Sequence, residues 1–539
     1  MPLSPSAHVD TYCRDNLPPE HSWPEFRFEL PSLRYGERLN CATALLDDMV
    51  AIVGPGKPCL LTASETWTYG ELLSRANQIA RVLAEDHGLV PGQRVLLRGP
   101  NNPWLVACWF AVVKAGGVVV TTMPMLRAPE IAKIVDITKP SLVLCDHRFS
   151  DELVDISGTA DVLTFGSTSP TDLQVVSASK SDEFVNVDTA ADDVVLLAPT
   201  SGTTGIPKAT MHFHRDVLAN ADTFSRHVLK PTPDDIFTGT PPLAFTFGLG
   251  GLVIFPLRVG AATLLIEKAS PAELAAMVLK HKVSVLFTAP TAYRAIMTAG
   301  VEADLATLRR CVSAGEHLPA VVWQQFHERT GLKLIDGIGA TEMLHVFIAA
   351  SDDDIRPGAT GKAVPGFEAR VQDAAGNPVP AGTAGFLAVK GPTGCRYLAD
   401  DRQSVYVRDG WNITGDTFVR DADGYFWYQA RSDDMIVSSG YNIAAPEVEF
   451  AIDQHPAVVE SAVIGIPNEA RGMIVHAAIV LAPGIIGDDA LKVEIQNFVK
   501  SIAAPYKYPR SITFEPALPR TDSGKIQRFR LHERVQALS

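Results

Sequence analysis

The stretch Thr200-Ser201-Gly202-Thr203-Thr204-Gly205-Ile206-Pro207-Lys208 constrains this chain more than any other. It follows an apolar, β-branched run at residues 193–198, whose residue types predict a strand. A strand entering a loop of hydroxyls and glycines lets backbone N–H groups turn inward around a polyphosphate. The hydroxyls add contacts to phosphate oxygens, and Lys208 adds a positive charge. The spacing is not that of the common Gly-Lys-Ser/Thr phosphate loop, and Pro207 opposes a helix starting directly beneath the phosphates. A nucleotide loop of another kind is expected. The plain alternative is a Ser/Thr/Gly surface turn, in which this order of residues is rare.

At 539 residues the chain exceeds one small domain, and its hydrophobic content of 46% supplies ample core. A formal charge of −14 argues against a nucleic-acid surface, which needs a basic face. The 7 cysteines form no CxxC pair, show no metal-like spacing and suit a reducing, cytoplasmic setting as buried filler. The N-terminus carries no basic start and no apolar run, so no signal peptide is expected. Two stretches approach membrane length, residues 106–125 and 247–266. Lys114 with Gly116-Gly117 breaks the first, and Pro256, Arg258 and Gly260 break the second, so each reads as a buried helix, a turn and a strand.

Strand and helix patterns alternate along most of the chain. Residues 68–83 read as an amphipathic helix, 94–97 as a strand, 104–114 as a helix, and 118–122 and 142–145 as strands. A helix at 271–280, a strand at 283–287 and a helix at 320–328 continue the alternation. Such alternation implies an α/β fold with largely parallel sheets covered by helices. From about Ala359 short strands separated by Gly/Asp/Asn turns suggest a compact β-rich unit, and mixed patterns return after Asp433.

Further segments carry chemistry. Asp336-Gly337-Ile338-Gly339-Ala340-Thr341-Glu342 offers a carboxylate of the kind that holds Mg²⁺ alongside phosphates and waters. Alone, Glu342 would read as a solvated surface acid. Ser313-Ala-Gly-Glu-His317 follows a strand-like run, and its Gly315 allows close backbone approach. Thr414-Gly-Asp416 supplies a carboxylate that can accept from two neighbouring hydroxyls. Arg431 offers a fork of donors, and Lys525, in Pro519-Arg-Thr-Asp-Ser-Gly-Lys525, projects one charge from a flexible tip. No Cys/His or Ser/His pair is recognisable.

In this order, these segments resemble the adenylate-forming enzymes: acyl-CoA synthetases, adenylation domains and luciferases. The resemblance spans roughly residues 40–530. It implies a large N-terminal domain, residues 1–432, of layered α/β subdomains plus a β-barrel, and a small mobile α+β C-terminal domain, residues 433–539. It implies two steps: a carboxylate and ATP give an acyl-adenylate and pyrophosphate, and a thiol then displaces AMP. In that family's pattern Thr200, Ser201, Gly202, Thr203, Thr204, Gly205 and Lys208 grip phosphates, and Thr341 lies near the α-phosphate. Glu342 holds Mg²⁺. Gly315, Glu316, Asp336, Gly337 and Ile338 border the adenosine, where many relatives place a Tyr at the position of Ile338. Asp416 takes the ribose hydroxyls, and Arg431 meets ribose or phosphate. Ala430 stands where the family usually has Gly. Asp433 is the hinge, Gly440 lines the pantetheine tunnel, and Lys525 is the catalytic lysine of the first step.

Within the family, Glu342-Met-Leu-His-Val-Phe347 resembles the benzoate-type aryl-CoA ligases, and N-terminal phrases look most like 2-aminobenzoate (anthranilate) CoA ligases. That likeness puts Phe245, Phe247, Gly339, Leu344, His345 and Val346 around a flat aryl acid. For the aromatic residues the plain alternative is core packing, and for His345 a satisfied buried histidine. The implied partners are an aryl carboxylic acid, ATP and CoA, with Mg²⁺, no nucleic acid and no membrane span. Benzoate as the acid, transfer to a carrier protein, a downstream CoA-using enzyme and a homodimer stay open.

Overall fold

The computed structural model describes residues 3–156, 160–200, 207–431, 435–438, 441–468, 472–503, 507–520 and 526–538. Among them the strands form sheets of six, nine, five and five strands. The chain packs as two compact units: residues 1–369 with 388–413, and residues 370–387 with 414–539.

The six-stranded sheet has the spatial order Asp161–Phe165, Leu142–Asp146, Arg94–Arg98, Val118–Thr122, Val194–Thr200 and Lys208–Phe213. All neighbours run parallel except the last pair, which is antiparallel. Parallel strands are covered on both faces, so they read as unbroken apolar runs, and every residue of Val118–Thr122 is buried. One cover is the helix Pro103–Lys114. Asn102 caps it by accepting from the Leu105 N–H at 2.9 Å, Pro103 stands where no donor is needed, and every residue but Trp104 is buried. Lys114, fully buried, reaches Asp47 at 2.6 Å; burial pulls the lysine down and the carboxylate opposes it. The stretch 106–125 is therefore the helix, turn and strand expected. No helix among the described residues is long and apolar enough to cross a membrane.

The nine-stranded sheet is parallel through Leu334–Gly339, Arg310–Ala314, Val285–Thr288, Ile236–Gly239, Ala262–Leu264 and Pro58–Leu61. Antiparallel strands close both edges. The amphipathic helix Tyr69–Arg81 opens with the Thr68/Glu71 capping box that its sequence spells. The second apolar stretch is more irregular than expected: Thr246–Leu249 is α-helical, Gly250–Ile254 is a π-helix and Phe255–Arg258 is α-helical again, before Ala262–Leu264. In this segment Gly250 faces His345 and Gly251 faces Phe287.

In the β-rich region, Glu368–Gln372, Ala384–Lys390, Trp411–Arg420 and Val407–Arg408 form one sheet, with Phe426–Arg431 paired to Trp411–Arg420. In the smaller unit Tyr441–Ala444, Met435–Ser438, Gly472–Leu481 and Val458–Asn468 form the last sheet, joined by Ser511–Phe514 and packed by Ala445–Ile452 and Asp489–Ile502. Residues 432–434, where the sequence places the domain boundary, lie outside the described residues.

Candidate active site

The strand Val194–Thr200 carries the chain to the expected phosphate loop, and Lys208–Phe213 carries it away. Thr200 and Lys208 are register partners, so residues 201–207 connect the two arms of an antiparallel pair. A strand, not a helix, follows Pro207. Ser201, Gly202, Thr203, Thr204 and Gly205 lie outside the described residues.

The structure brings Lys208 together with Glu342. Lys208 Nζ stands 3.0 Å from Glu342 Oε1, and both side chains are largely buried. Tyr397, which sequence reading missed, completes the cluster. Its hydroxyl donates to Glu342 Oε1 at 2.5 Å and accepts from Lys208 Nζ. The Lys208 ammonium also lies 4.1 Å from the centre of the Tyr397 ring. Nothing in the local sequence marks Tyr397; it joins the site through the bridge between Thr210 and Tyr397.

Glu342 sits in the short 3₁₀ turn Thr341–Met343, which follows the strand Leu334–Gly339. The turn is held from two sides: His212 Nε2 donates to the Thr341 carbonyl at 2.9 Å, and Thr393 Oγ1 donates to the Met343 carbonyl at 2.8 Å. Leu344 then adopts φ +69°, a costly conformation for a branched side chain. That turn reverses the chain into Val346–Ala349 and seats His345 in the interior.

Asp336 and Ser313 are register partners on adjacent parallel strands, as are Gly337 and Ala314, so the two expected adenosine segments lie side by side. Burial pushes the Asp336 carboxyl up, against hydrogen bonds from the Gly337 backbone and the Thr360 hydroxyl. Asp336 lines a small cavity with Leu318, Trp323 and Thr360. Gly315 has φ +90°, and an added Cβ would meet nothing within 4 Å. Backbone conformation therefore demands glycine there, and close approach by the protein's own atoms does not. Glu316 and Ile338 follow on the same two segments, both half-buried.

His345 is 3% exposed and surrounded by rings: Phe255 at 4.6 Å between centroids, Phe224 and Phe247 at 5.5 Å each, and Phe287 at 6.3 Å. Neither of its ring nitrogens has a hydrogen-bond partner among the described residues. Burial pulls its pKa down to about 3, and the Phe247 backbone opposes the shift. The ring is neutral at pH 7, with one donor and one acceptor to offer. Phe245 caps the same turn that carries Phe247, and both are half-buried. Glycines make the space: an added Cβ at Gly250 would stand 2.3 Å from His345 Cδ2, and one at Gly339 would stand 2.6 Å from the His345 carbonyl oxygen. Phe224, Phe255 and Phe287 also escaped sequence reading, because they come from three separate elements that the fold alone assembles.

In the smaller unit Asp416 and Arg431 are register partners across antiparallel strands. The Asp416 N–H donates to Thr414 Oγ1 at 3.2 Å, and Gly415 takes φ +78°. Asp433, Gly440 and Lys525 lie outside the described residues. A Cys/His pair does exist in the larger unit: His214 Nδ1 lies 3.3 Å from Cys41 Sγ. Both residues are fully buried. Burial pushes the thiol up and the imidazole down to about 3, so neither forms the ion pair a nucleophilic cysteine needs.

The family model for AMP-binding enzymes matches residues 48–397, and that for the AMP-binding enzyme C-terminal domain matches residues 447–525. The chain belongs to the AMP-binding enzyme family. Among the relatives of this AMP-binding enzyme are the benzoate–CoA ligase of Thauera aromatica, 33% identical over 512 residues, covering 93% of this chain and 97% of the relative. The 3-hydroxybenzoate–CoA ligase of Aromatoleum sp. (strain CIB) is 30% identical over 93% of this chain and 97% of its own. In structure, the anthranilate CoA ligase AuaEII in complex with anthranoyl-AMP superposes with a TM-score of 0.88 at 32% identity, covering 94% of this chain and 99% of that one. The chain is an acid–thiol ligase of the AMP-forming type, working with ATP, Mg²⁺ and CoA. No group of three or more His, Cys, Asp or Glu that could hold a metal ion occurs among the described residues. The single carboxylate of Glu342 suits Mg²⁺, which keeps waters and phosphates for most of its coordination.

Proposed function

We propose that this enzyme is an ATP-dependent aryl-CoA ligase that activates 2-aminobenzoate as its acyl-AMP and transfers the acyl group to CoA, releasing pyrophosphate and AMP. The observation that carries this reading is the aromatic cage around a neutral His345 with two unpartnered nitrogens. An apolar, ring-lined space with one polar group suits a flat aryl acid. Leaving a buried nitrogen unpaired costs about 1–3 kcal/mol, and an ortho amino group can supply the missing partner. Benzoate fits the same walls without that bond and ranks second. The relatives acting on benzoate, hydroxybenzoate and anthranilate support the substrate class.

In the first step the acid's carboxylate oxygen attacks the α-phosphorus of ATP and pyrophosphate leaves. Lys208 offsets charge on the phosphates, the backbone of the loop after Thr200 donates to them, Thr341 meets the α-phosphate, and Glu342 would hold Mg²⁺, which would screen phosphate charge. Lys525 steadies the charge that builds as two anions meet. Asp416 and Arg431 hold the ribose. The segment from Asp433 onward then swings, and the CoA thiol, guided past Gly440, attacks the acyl carbon while AMP departs. Incubation with ATP, Mg²⁺, CoA and a panel of acids, with mass detection of acyl-CoA, is the test. The highest kcat/KM is expected with 2-aminobenzoate and the next with benzoate. No AMP release with any aryl acid sinks the reading, and acyl-AMP without transfer to CoA points to a carrier protein as acceptor.

Gly250→Ala tests the pocket. Its φ of −61° accepts alanine, but the new Cβ must displace the His345 ring. Overpacking of this kind costs about 1–3 kcal/mol, so KM for the aryl acid is expected to rise roughly tenfold while KM for ATP stays unchanged. Equal changes in both constants, or none, argue against His345 as a wall of the acid pocket.

A further inference from the structure

Tyr397 is fully buried, yet its hydroxyl is the meeting point of the two charged side chains assigned to phosphate and metal. Its backbone is fixed independently of them. The Tyr397 N–H donates to Gln403 Oε1 at 2.9 Å, and the Gln403 side chain in turn donates to the carbonyls of Ser22 and Cys395. On either side, the Met211 N–H donates to the Arg396 carbonyl at 2.7 Å, and the Leu398 N–H to the Ala209 carbonyl at 2.9 Å. The phenol is thus mounted rigidly beside the strand that carries Lys208, while Lys208 and Glu342 end in flexible stems. Of the three groups, Tyr397 is the one whose position the fold dictates.

We propose that Tyr397 is the positioning residue for the metal carboxylate. Its O–H occupies Glu342 Oε1 and so turns Oε2 toward a divalent cation carried by the nucleotide. In the nucleotide-free site the same hydroxyl and ring hold the Lys208 ammonium against Glu342, which keeps the buried carboxylate paired. When phosphates arrive Lys208 has a stronger anionic partner and leaves, and Tyr397 remains on Oε1. The carboxylate is then oriented without having to search its rotamers. No bond is made or broken in this exchange; hydrogen bonds and ion pairs change partners. The proposal rests on Glu342 as the metal ligand.

Mn²⁺ titration followed by the electron paramagnetic resonance of the free ion, with the enzyme saturated by a non-hydrolysable ATP analogue, tests it. Tyr397→Phe is expected to weaken Mn²⁺ about tenfold, the size typical of losing an outer partner of a metal ligand. Glu342→Gln should weaken Mn²⁺ at least as much, and adding Y397F to it should cost nothing further. Full Mn²⁺ affinity in Y397F with weakened binding in E342Q overturns the role of Tyr397 and leaves Glu342 in place. Full affinity in both variants overturns the Glu342 assignment and the proposal with it. If Y397F folds poorly, 3-fluorotyrosine placed at position 397 serves instead. Its ¹⁹F resonance should shift when Mg²⁺ is added to the enzyme–analogue complex, and an unmoved resonance overturns the proposal.

Discussion

Replacing Lys525 by alanine is expected to abolish acyl-AMP formation while thioester formation from supplied acyl-AMP continues near the parent rate. The reason lies in the charges. Adenylation brings a carboxylate against the α-phosphate, and one ammonium in the right place offsets the repulsion as the transition state forms. Removing a single placed donor of this kind typically costs about 10²–10³ in kcat. The second half-reaction starts from a mixed anhydride that already carries a good leaving group, and needs no such cation. Lys525→Arg keeps the charge but replaces a point ammonium with a planar fork, so partial recovery is expected. Pyrophosphate release measures the first step, and acyl-CoA formed from synthetic acyl-AMP measures the second. Equal loss of both removes Lys525 from its proposed role.

The second large effect concerns stability. Arg396 and Asp216 form a fully buried ion pair in the larger unit. Burial pushes the Asp216 carboxyl up, and Arg396, Arg215 and the Phe213 N–H pull it back; burial likewise lowers Arg396. The Phe213 N–H donates to Asp216 at 2.9 Å, and the Arg396 guanidinium stacks 3.8 Å from the centre of the Phe213 ring. Removing one partner strands the other charge in the interior, so Asp216→Ala is expected to destabilise this unit by about 3–5 kcal/mol. The double change Asp216→Leu with Arg396→Met should recover much of that loss, because two apolar groups of similar size leave no unpaired charge. Urea unfolding followed by tryptophan fluorescence gives both numbers. A single variant as stable as the parent would show that water reaches Arg396 after the change.

Local features of the fold were legible wherever a few neighbouring residues settle them. The amphipathic spacing of residues 68–83 marks one helix, the apolar run at 104–114 marks another, and the β-branched run at 118–122 marks a covered parallel strand. The strand leading into Thr200 was legible for the same reason, from one short β-branched, apolar run. The partners that complete the site were not. Tyr397 reaches Glu342 from 55 positions away, and the cage around His345 draws on Phe224, Phe247, Phe255 and Phe287. Such contacts depend on strand order, and parallel neighbours leave no turn signal that would reveal it. Gly315 shows a subtler limit. The residue type was informative, but the reason for it, a positive φ in open space, needed the backbone.

The cysteines have a practical consequence. All seven are buried, and burial raises their thiols, to about 12 for Cys13, Cys145 and Cys311. Every one of them falls in the larger unit. A maleimide dye added to the folded enzyme therefore finds no thiolate to attack, and native thiols react only as the larger unit opens. The chain carries its own silent background for site-specific labelling. A cysteine introduced on an exposed face of residues 414–539 would bear the dye alone, so movement of the smaller unit can be followed by fluorescence without first stripping out native thiols.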